Sequence, residues 1–179
     1  GNLGVTSSIM SQVEDANNFL ILRFTSGDAL DLRWSDAGSG TDANLTTTQV
    51  FRDCSSWINI VVKFLTSDST EANRVKIYVN GTQVTAFGAS SYPSQNFNTA
   101  ENSTSNQYIS KRNYVDDRYY DGYMAKINMI DGQQLDSSSF GETKDGIWIP
   151  KDYSGSYGTN GFRLTFQGTG TATTSQGTT

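Results

Sequence analysis

Histidine is absent from the 179 residues of the chain, and cysteine occurs once, at Cys54. Without histidine, the chain cannot form the Ser-His-Asp or Cys-His arrangements that activate nucleophiles in the commonest hydrolases. A lone cysteine cannot form an intrachain disulfide, and zinc sites built on thiolates use several cysteines together. We therefore expect Cys54 to act as a small, buried hydrophobic residue.

Charged residues are also few, at 17% of the chain, and the acidic ones outnumber the basic ones to give a net charge of −5. Proteins that bind nucleic acid need clustered Lys and Arg side chains, and this sequence has no such cluster. No apolar run approaches the ~20 residues that a membrane-spanning helix requires, and no signal peptide opens the chain. The sequence thus predicts neither a nucleic-acid partner nor membrane insertion.

What the sequence does contain is the pattern of β-strands, which is clearest ahead of Asn80-Gly81. Val75, Ile77 and Val79 alternate with polar residues there, as in a strand with one face on a core. Asn and Gly both tolerate positive φ, so the pair Asn80-Gly81 predicts a two-residue type I′ turn between antiparallel strands. The three apolar side chains should face the core.

Similar runs recur along most of the chain, and helical patterns are nearly absent. Further strands are predicted at residues 19–24, 29–34, 47–52, 57–65, 107–111, 119–131 and 161–166, and one helical turn at residues 136–140. The pattern predicts an all-β fold, a sandwich of two antiparallel sheets. Trp34, Trp57 and Trp148 lie in or beside these strands and are expected in the core.

The length of the chain predicts one domain over residues 1–167, because a single β-sandwich of this size can bury a sizeable core. From residue 168 to residue 179 the sequence is rich in Gly, Thr and Ser and offers nothing apolar to bury. Such composition is typical of a linker or tail.

Four segments carry a resemblance to a known family. They are YVNG (78–81), YIS (108–110), YYDGYMAKINMIDGQQLD (119–136) and SFGETKDGIWIPKDYSGSYGTNGF (139–162). The chain resembles the concanavalin A-like, laminin-G-like jelly-roll domains, in which a hairpin strand ends in a YVNG-like turn and a later strand starts at an aromatic-x-Gly step. The two long segments are similar to a subgroup found in structural proteins of tailed, especially marine, bacteriophages.

This resemblance implies a virion structural protein that forms part of a tail fibre, an appendage or a capsid decoration. Its location would be the virion, an extracellular particle, and its partners would be other virion proteins, copies of itself and a host surface glycan. Domains of this family usually open with an aromatic-rich strand before the segment that residues 1–4 resemble, so the chain would lack its first strand. The alternative is an adhesin or a carbohydrate-binding module of a secreted bacterial protein.

Catalysis is not expected from this sequence. The glucanase branch of the fold carries closely spaced carboxylates on one strand, in a pattern like Glu-x-Asp-x-Glu, which does not occur here. The adjacent Asp116 and Asp117 would point to opposite faces of a strand. Ala125 and Lys126 stand where many laminin-G-like domains carry an Asp-Glu pair, so the family's calcium and saccharide sites do not transfer directly.

One loop ahead of the aromatic-x-Gly step combines oxygen atoms with an aromatic ring. Asn113, Asp116, Asp117 and Tyr119 predict a glycan site, in which the ring stacks on a sugar and the amide and carboxylate oxygens accept hydrogen bonds from its hydroxyls. Asp116, Asp117 and Asp121 could also hold Ca²⁺, which is the single cofactor that the sequence suggests. A solvated turn is the alternative, since Asp is common in turns.

Overall fold

The computed structural model describes residues 3–15, 17–35, 43–100, 104–112 and 118–166. The chain divides into two compact units, Gly1–Gly122 (unit 1) and Tyr123–Thr179 (unit 2). The single domain over residues 1–167 stays a prediction, and the predicted linker or tail at residues 168–179 lies outside the described residues. No helix in the described part of the chain is long and apolar enough to cross a membrane.

Unit 1 is built from short antiparallel strands and one helical turn that the sequence patterns did not predict. The strands are β1 (Ser7–Asp15), β2 (Asn18–Phe24), β3 (Ala29–Ser35), β4 (Ala43–Val50), β5 (Ile60–Phe64), β6 (Val75–Val79), β7 (Thr82–Gln83), β8 (Phe87–Ser90) and β9 (Gln107–Ile109), and the helix is α1 (Glu71–Arg74). Strands β2, β3, β4, β5 and β9 match predicted strands, with ends that differ by up to several residues.

Two antiparallel sheets pack on one another in unit 1. The larger sheet has the order β8-β4-β3-β2-β1-β9, and the smaller has the order β5-β6-β7. Leu30, Leu32 and Trp34 from the larger sheet meet Val75 and Ile77 from the smaller sheet in one buried cluster. The predicted fold, an all-β sandwich of the concanavalin A-like, jelly-roll type, is confirmed.

The hairpin of β6 and β7 forms as predicted. Asn80 and Gly81 have φ values of 47° and 80°, as a type I′ turn requires. Val75, Ile77 and Val79 are all buried, whereas the residues between them are half-buried. The prediction that these three side chains face the core is therefore correct.

Strand β1 lies between β2 and β9 in the larger sheet, yet apolar alternation does not predict it. Its buried side chains are largely polar. Two of them are satisfied by hydrogen bonds, since Ser11 Oγ donates to the Lys111 carbonyl at 2.8 Å and Gln12 Nε2 donates to the Ser105 carbonyl at 2.9 Å. A bulge between Ser8 and Met10 breaks the alternation further. The absence of a preceding family strand stays a prediction.

Unit 2 contains two small antiparallel sheets and a 3-10 helix at Ser137–Ser139, inside the predicted helical turn. The sheets pair β10 (Ile127–Met129) with β13 (Phe162–Leu164), and β11 (Gly141–Lys144) with β12 (Ile147–Pro150). The long strand predicted at residues 119–131 is wrong, since only β10 is paired in a sheet within it. Lys126 has a φ of 54°, which ends the extended backbone just before β10.

Two residues expected in the core lie outside it. Cys54 is exposed, because it sits in the loop between β4 and β5 rather than in a strand. Trp57 is 67% exposed, since β5 begins three residues later, at Ile60. Trp34 is buried as predicted, and Trp148 is half-buried.

Candidate functional site

The predicted glycan and calcium loop is described only in part. Asn113, Asp116 and Asp117 lie outside the described residues, so the glycan and calcium predictions that depend on them stay predictions. Tyr119 and Asp121 are described, and both are exposed. Within the described ranges no group of three or more His, Cys, Asp or Glu residues could hold a metal ion.

The backbone around Tyr119 is firmly held within unit 1. The Ser8 amide donates a hydrogen bond to the Arg118 carbonyl at 2.8 Å, and Ser8 forms a parallel bridge with Tyr119. On the other side, the Tyr120 amide donates to the Ser110 carbonyl at 2.9 Å, and Ser110 Oγ donates to the Tyr120 carbonyl at 3.0 Å. The segment thus presents the Tyr119 side chain, which is 53% exposed, from a fixed backbone.

A row of three aromatic rings joins this segment to the loop that follows β4. The Tyr120 ring stacks on the Phe24 ring with centroids 6.3 Å apart, and Phe24 lies 5.6 Å from Phe51. Burial raises the pKa of Tyr120 above its usual value, and the charge of the nearby Cys54 raises it further. The segment around Tyr119 and the loop that contains Cys54 are therefore neighbours.

Asp28 ties two more segments to the same place. It lies in the turn between β2 and β3, where its φ of 66° is one that Asp tolerates better than most residues. Its carboxylate accepts hydrogen bonds from the Gly4 amide at 2.7 Å and from Arg52 Nε at 2.8 Å, and its carbonyl accepts one from the Phe51 amide at 2.8 Å. The Gly4 amide, and then Arg52, hold the pKa of Asp28 below its usual value.

We call this meeting point the Asp28 end, and it comprises residues 3–5, 25–28, 50–57 and 118–121. Five of its apolar or aromatic side chains are exposed, although such side chains usually pack in a core: Leu3, Val5, Val50, Trp57 and Tyr119. Exposed apolar side chains on segments that contact one another are typical of a binding surface.

The loop that carries Trp57 is held at both of its ends. Asp53 Oδ1 accepts hydrogen bonds from the Ser55 amide at 2.9 Å and from Ser55 Oγ at 2.6 Å, and Asp53 Oδ2 accepts one from Ser56 Oγ. These bonds, with those of Ser55 first, lower the pKa of Asp53 to about 2. Beyond Trp57, the Asn59 amide donates to Asn80 Oδ1 at 2.8 Å, which anchors the loop to the β6–β7 turn.

A second polar cluster lies on the larger sheet but is not accessible. Asp31 accepts hydrogen bonds from Arg23 Nε at 2.7 Å, from Thr46 Oγ1 at 2.7 Å and from Asn44 Nδ2 at 3.4 Å. Asp31 is only 1% exposed, and its carboxylate is fully engaged by these donors. Asp31 therefore neutralises the charge of Arg23 within the sheet and is not part of the site.

A shallow groove of about 200 Å³ lies beside Thr48, Gln49, Val79 and residues 82–86. Its lining contains neither an aromatic ring nor a charged side chain. The Asp28 end has both, so it is the stronger candidate for recognition of a ligand.

The sequence identified only part of this end. It named Tyr119 and Asp121, but it did not name Asp28, Asp53 or Trp57 as site residues. An exposed tryptophan cannot be told from a buried one by residue type alone, and the cluster Asp-x-Ser-Ser at residues 53–56 was the one local signal of a fixed loop.

Comparison with known protein families gives one match, to the laminin-G-like family model described as the concanavalin A-like lectin/glucanases superfamily, over residues 2–139. Searches of curated proteins and of solved structures gave no significant match. The matched region covers more than half of the chain and includes the two packed sheets of unit 1. The chain therefore belongs to the concanavalin A-like lectin/glucanases superfamily.

Proposed function

We propose that this chain is a non-catalytic carbohydrate-binding domain whose ligand site is the Asp28 end. The observation that carries the proposal is the presence of two exposed aromatic rings, Trp57 and Tyr119, on two fixed segments that meet there. Membership of a superfamily that includes lectins supports a sugar as the ligand.

The chemistry of the Asp28 end suits a sugar. The faces of Trp57 and Tyr119 can stack on the apolar face of a pyranose ring, and carboxylate oxygens can accept hydrogen bonds from its hydroxyls. Asp121 is exposed, and the predicted residues Asn113, Asp116 and Asp117 come just before it in the sequence. One such site binds weakly, on the order of 0.1–1 mM, so useful affinity would come from several copies acting together.

The carboxylates of Asp28 and Asp53 support binding rather than hydrolysis. A glycosidase needs a carboxylic acid with a raised pKa that can protonate the leaving oxygen. The pKa values of Asp28 and Asp53 are instead lowered by the hydrogen bonds that they accept. Both groups are thus ionised at neutral pH and act as acceptors in fixed loops.

For the biological setting, we propose a structural protein of a tailed-bacteriophage virion, such as a tail fibre, an appendage or a capsid decoration. The support for this is the resemblance of residues 119–136 and 139–162 to that group of proteins. In this setting the sugar would be a host surface glycan, and the other partners would be virion proteins or further copies of the chain.

The test is a glycan array probed with the purified chain, followed by titration of the best glycan against variants. We expect Trp57→Ala and Tyr119→Ala each to weaken binding roughly tenfold, since loss of one stacked ring is worth about 1.4 kcal/mol. Asp117→Ala tests the predicted loop in the same assay. Tyr123→Ala is the matched control, because Tyr123 is the most exposed of the large apolar or aromatic side chains described and lies outside the Asp28 end.

The outcomes separate the parts of the proposal. Binding that is unchanged in both Trp57→Ala and Tyr119→Ala would move the site elsewhere on the domain. No binding to any glycan in a multivalent format would remove the carbohydrate function itself. If chromatography shows that the chain hydrolyses a bound oligosaccharide, the non-catalytic assignment is overturned.

A further inference from the structure

The hairpin of β11 and β12 in unit 2 exposes apolar side chains that nothing in the proposed function uses. The two strands are joined by Asp145 and Gly146, whose φ values of 51° and 79° form a two-residue turn of type I′. Ile147 is 68% exposed and Ile149 is 40% exposed. Exposed isoleucines two residues apart place an apolar stripe on one face of β12.

The two faces of this hairpin differ. Glu142 lies opposite Ile149 and Lys144 lies opposite Ile147, so one face carries two isoleucines flanked by an acid and a base. The other face carries the Trp148 ring, which packs so tightly over Gly141 that an added Cβ would lie 2.5 Å from it. Trp148 is thus half-buried within its own hairpin, whereas the two isoleucines form an exposed aliphatic stripe.

The outer edge of β12 also offers unpaired backbone groups. A two-residue turn makes Lys144 and Ile147 a hydrogen-bonded pair, and such pairs alternate with non-hydrogen-bonded pairs along the ladder. A hydrogen bond from the Lys151 amide to the Phe140 carbonyl at 2.9 Å continues this alternation. The amide and carbonyl of Trp148 consequently point outward, and among the described residues no other strand pairs with this edge.

We propose that two copies of the chain pair antiparallel through the β12 edge, with the two-fold axis at Trp148. In this register each Trp148 exchanges two backbone hydrogen bonds with the Trp148 of the other copy. Ile147 of one copy then lies directly opposite Ile149 of the other, twice per dimer, in the non-hydrogen-bonded positions where side chains are closest. The result is a continuous four-stranded sheet across the two hairpins.

Self-complementarity is what identifies a second copy as the occupant. Rotation about Trp148 matches isoleucine with isoleucine and places no charge opposite a like charge. Across the four strands, Glu142 and Ile149 of one copy line up with Ile147 and Lys144 of the other copy. Each such row contains one negative and one positive charge and is therefore neutral. Pro150, which lacks an amide hydrogen, limits the paired stretch to this short register.

Pairing through the β11 edge is the competing arrangement. It would set Glu142 against Lys144 of the other copy but would leave Ile147 and Ile149 away from the new contact. Exposed ion pairs contribute less than burial of apolar side chains, so the β12 edge is favoured.

The first test is sedimentation velocity of the full chain over a range of concentrations. We expect a monomer–dimer equilibrium whose dissociation constant rises roughly 100-fold in Ile147→Lys and in Ile149→Lys, because each change removes two cross-strand apolar pairs. Tyr123→Lys is the control for added charge on an exposed site of unit 2, and it should leave the equilibrium unchanged. Circular dichroism of each variant verifies that it is folded.

The second test fixes the register. In a Cys54→Ser background, the double variant Ile147→Cys/Ile149→Cys should form disulfides between position 147 of one copy and position 149 of the other, seen by mass spectrometry after mild oxidation. Efficient cross-linking of Glu142→Cys/Lys144→Cys instead would overturn the β12 arrangement in favour of β11. A parent chain that stays monomeric at the highest soluble concentration would overturn the proposal altogether.

Discussion

At the scale of single residues, Asp28 connects three segments at its end of unit 1, through Gly4, Phe51 and Arg52. Its pKa is lowered in the folded chain, first by the Gly4 amide and then by Arg52. A lowered carboxyl pKa contributes stability above the unfolded-state value of about 3.9, and that stability is lost as the pH falls through the folded-state pKa.

We therefore predict that Asp28→Asn lowers the melting temperature by several degrees at pH 7 but by much less in acid, once the pH has fallen through the folded-state pKa of Asp28 and the parent carboxyl is protonated too. Asparagine tolerates positive φ, so the change removes the charge without straining the turn. Thermal melts followed by circular dichroism over this pH range give the comparison. A difference in melting temperature that does not depend on pH would show that the carboxylate charge is not what matters.

Exposure is the property of single residues that the sequence predicted least well. Trp57 and Cys54 were expected inside, yet both are exposed. The strand predicted to begin at Trp57 begins only at Ile60, and Cys54 lies in the loop between β4 and β5. Residue type gives the preference of a side chain for burial, but the position of a strand end decides whether it is buried. The same error concealed Trp57 as a candidate sugar-binding residue.

At the scale of elements, the two tight hairpins show how strongly Asn-Gly and Asp-Gly fix local structure. Gly81 has a φ of 80°, whereas Gly27, in another turn, is outside the positive region and has only Thr25 Oγ1 near a Cβ position, at 3.6 Å. We predict that Gly81→Ala lowers the free energy of unfolding by about 1 kcal/mol or more. Gly27→Ala should change it by less than about 0.5 kcal/mol or stabilise slightly.

Urea denaturation of both variants provides the measurement. Equal losses would show that the type I′ turn does not constrain the β6–β7 hairpin. A loss of stability confined to Gly81→Ala would support the type I′ turn. The same substitution should also loosen the contact between Asn80 and Asn59 that holds the loop of Trp57.

Elements were predictable where apolar residues alternate or form a continuous run. Strands β3 and β6 carry the alternation, β2 is a nearly continuous apolar run, and all three were predicted within one or two residues of their ends. Strand β1 is a paired interior strand whose buried side chains include Ser8, Ser11 and Gln12, so the pattern gave no signal. The stretch at 119–131 does alternate, but Lys126 in the positive-φ region interrupts it.

At the scale of the whole molecule, the fold class followed from the sequence because the period-two pattern recurs from residue 19 to residue 166. The composition of the candidate site did not follow, since it depends on contacts between distant segments. Asp28 is 24 residues from both Gly4 and Arg52, and Tyr120 lies 96 positions after the Phe24 ring on which it stacks. Such contacts are set by sheet order, which local patterns do not encode.

The two sheets of unit 1 meet in one buried apolar cluster among the described residues. Val75 is 1% exposed and lies at the centre of this cluster with Ile77 and Leu30. We predict that Val75→Asp lowers the free energy of unfolding by at least about 3 kcal/mol, because an unpaired carboxylate would be buried between the sheets. Thr82→Asp introduces the same charge on an exposed position of the same small sheet and should cost less than about 0.5 kcal/mol. Equal denaturation midpoints for the two variants would mean that Val75 does not face the core and that the register of β6 is wrong by one residue, since such a slip exchanges the two faces of a strand.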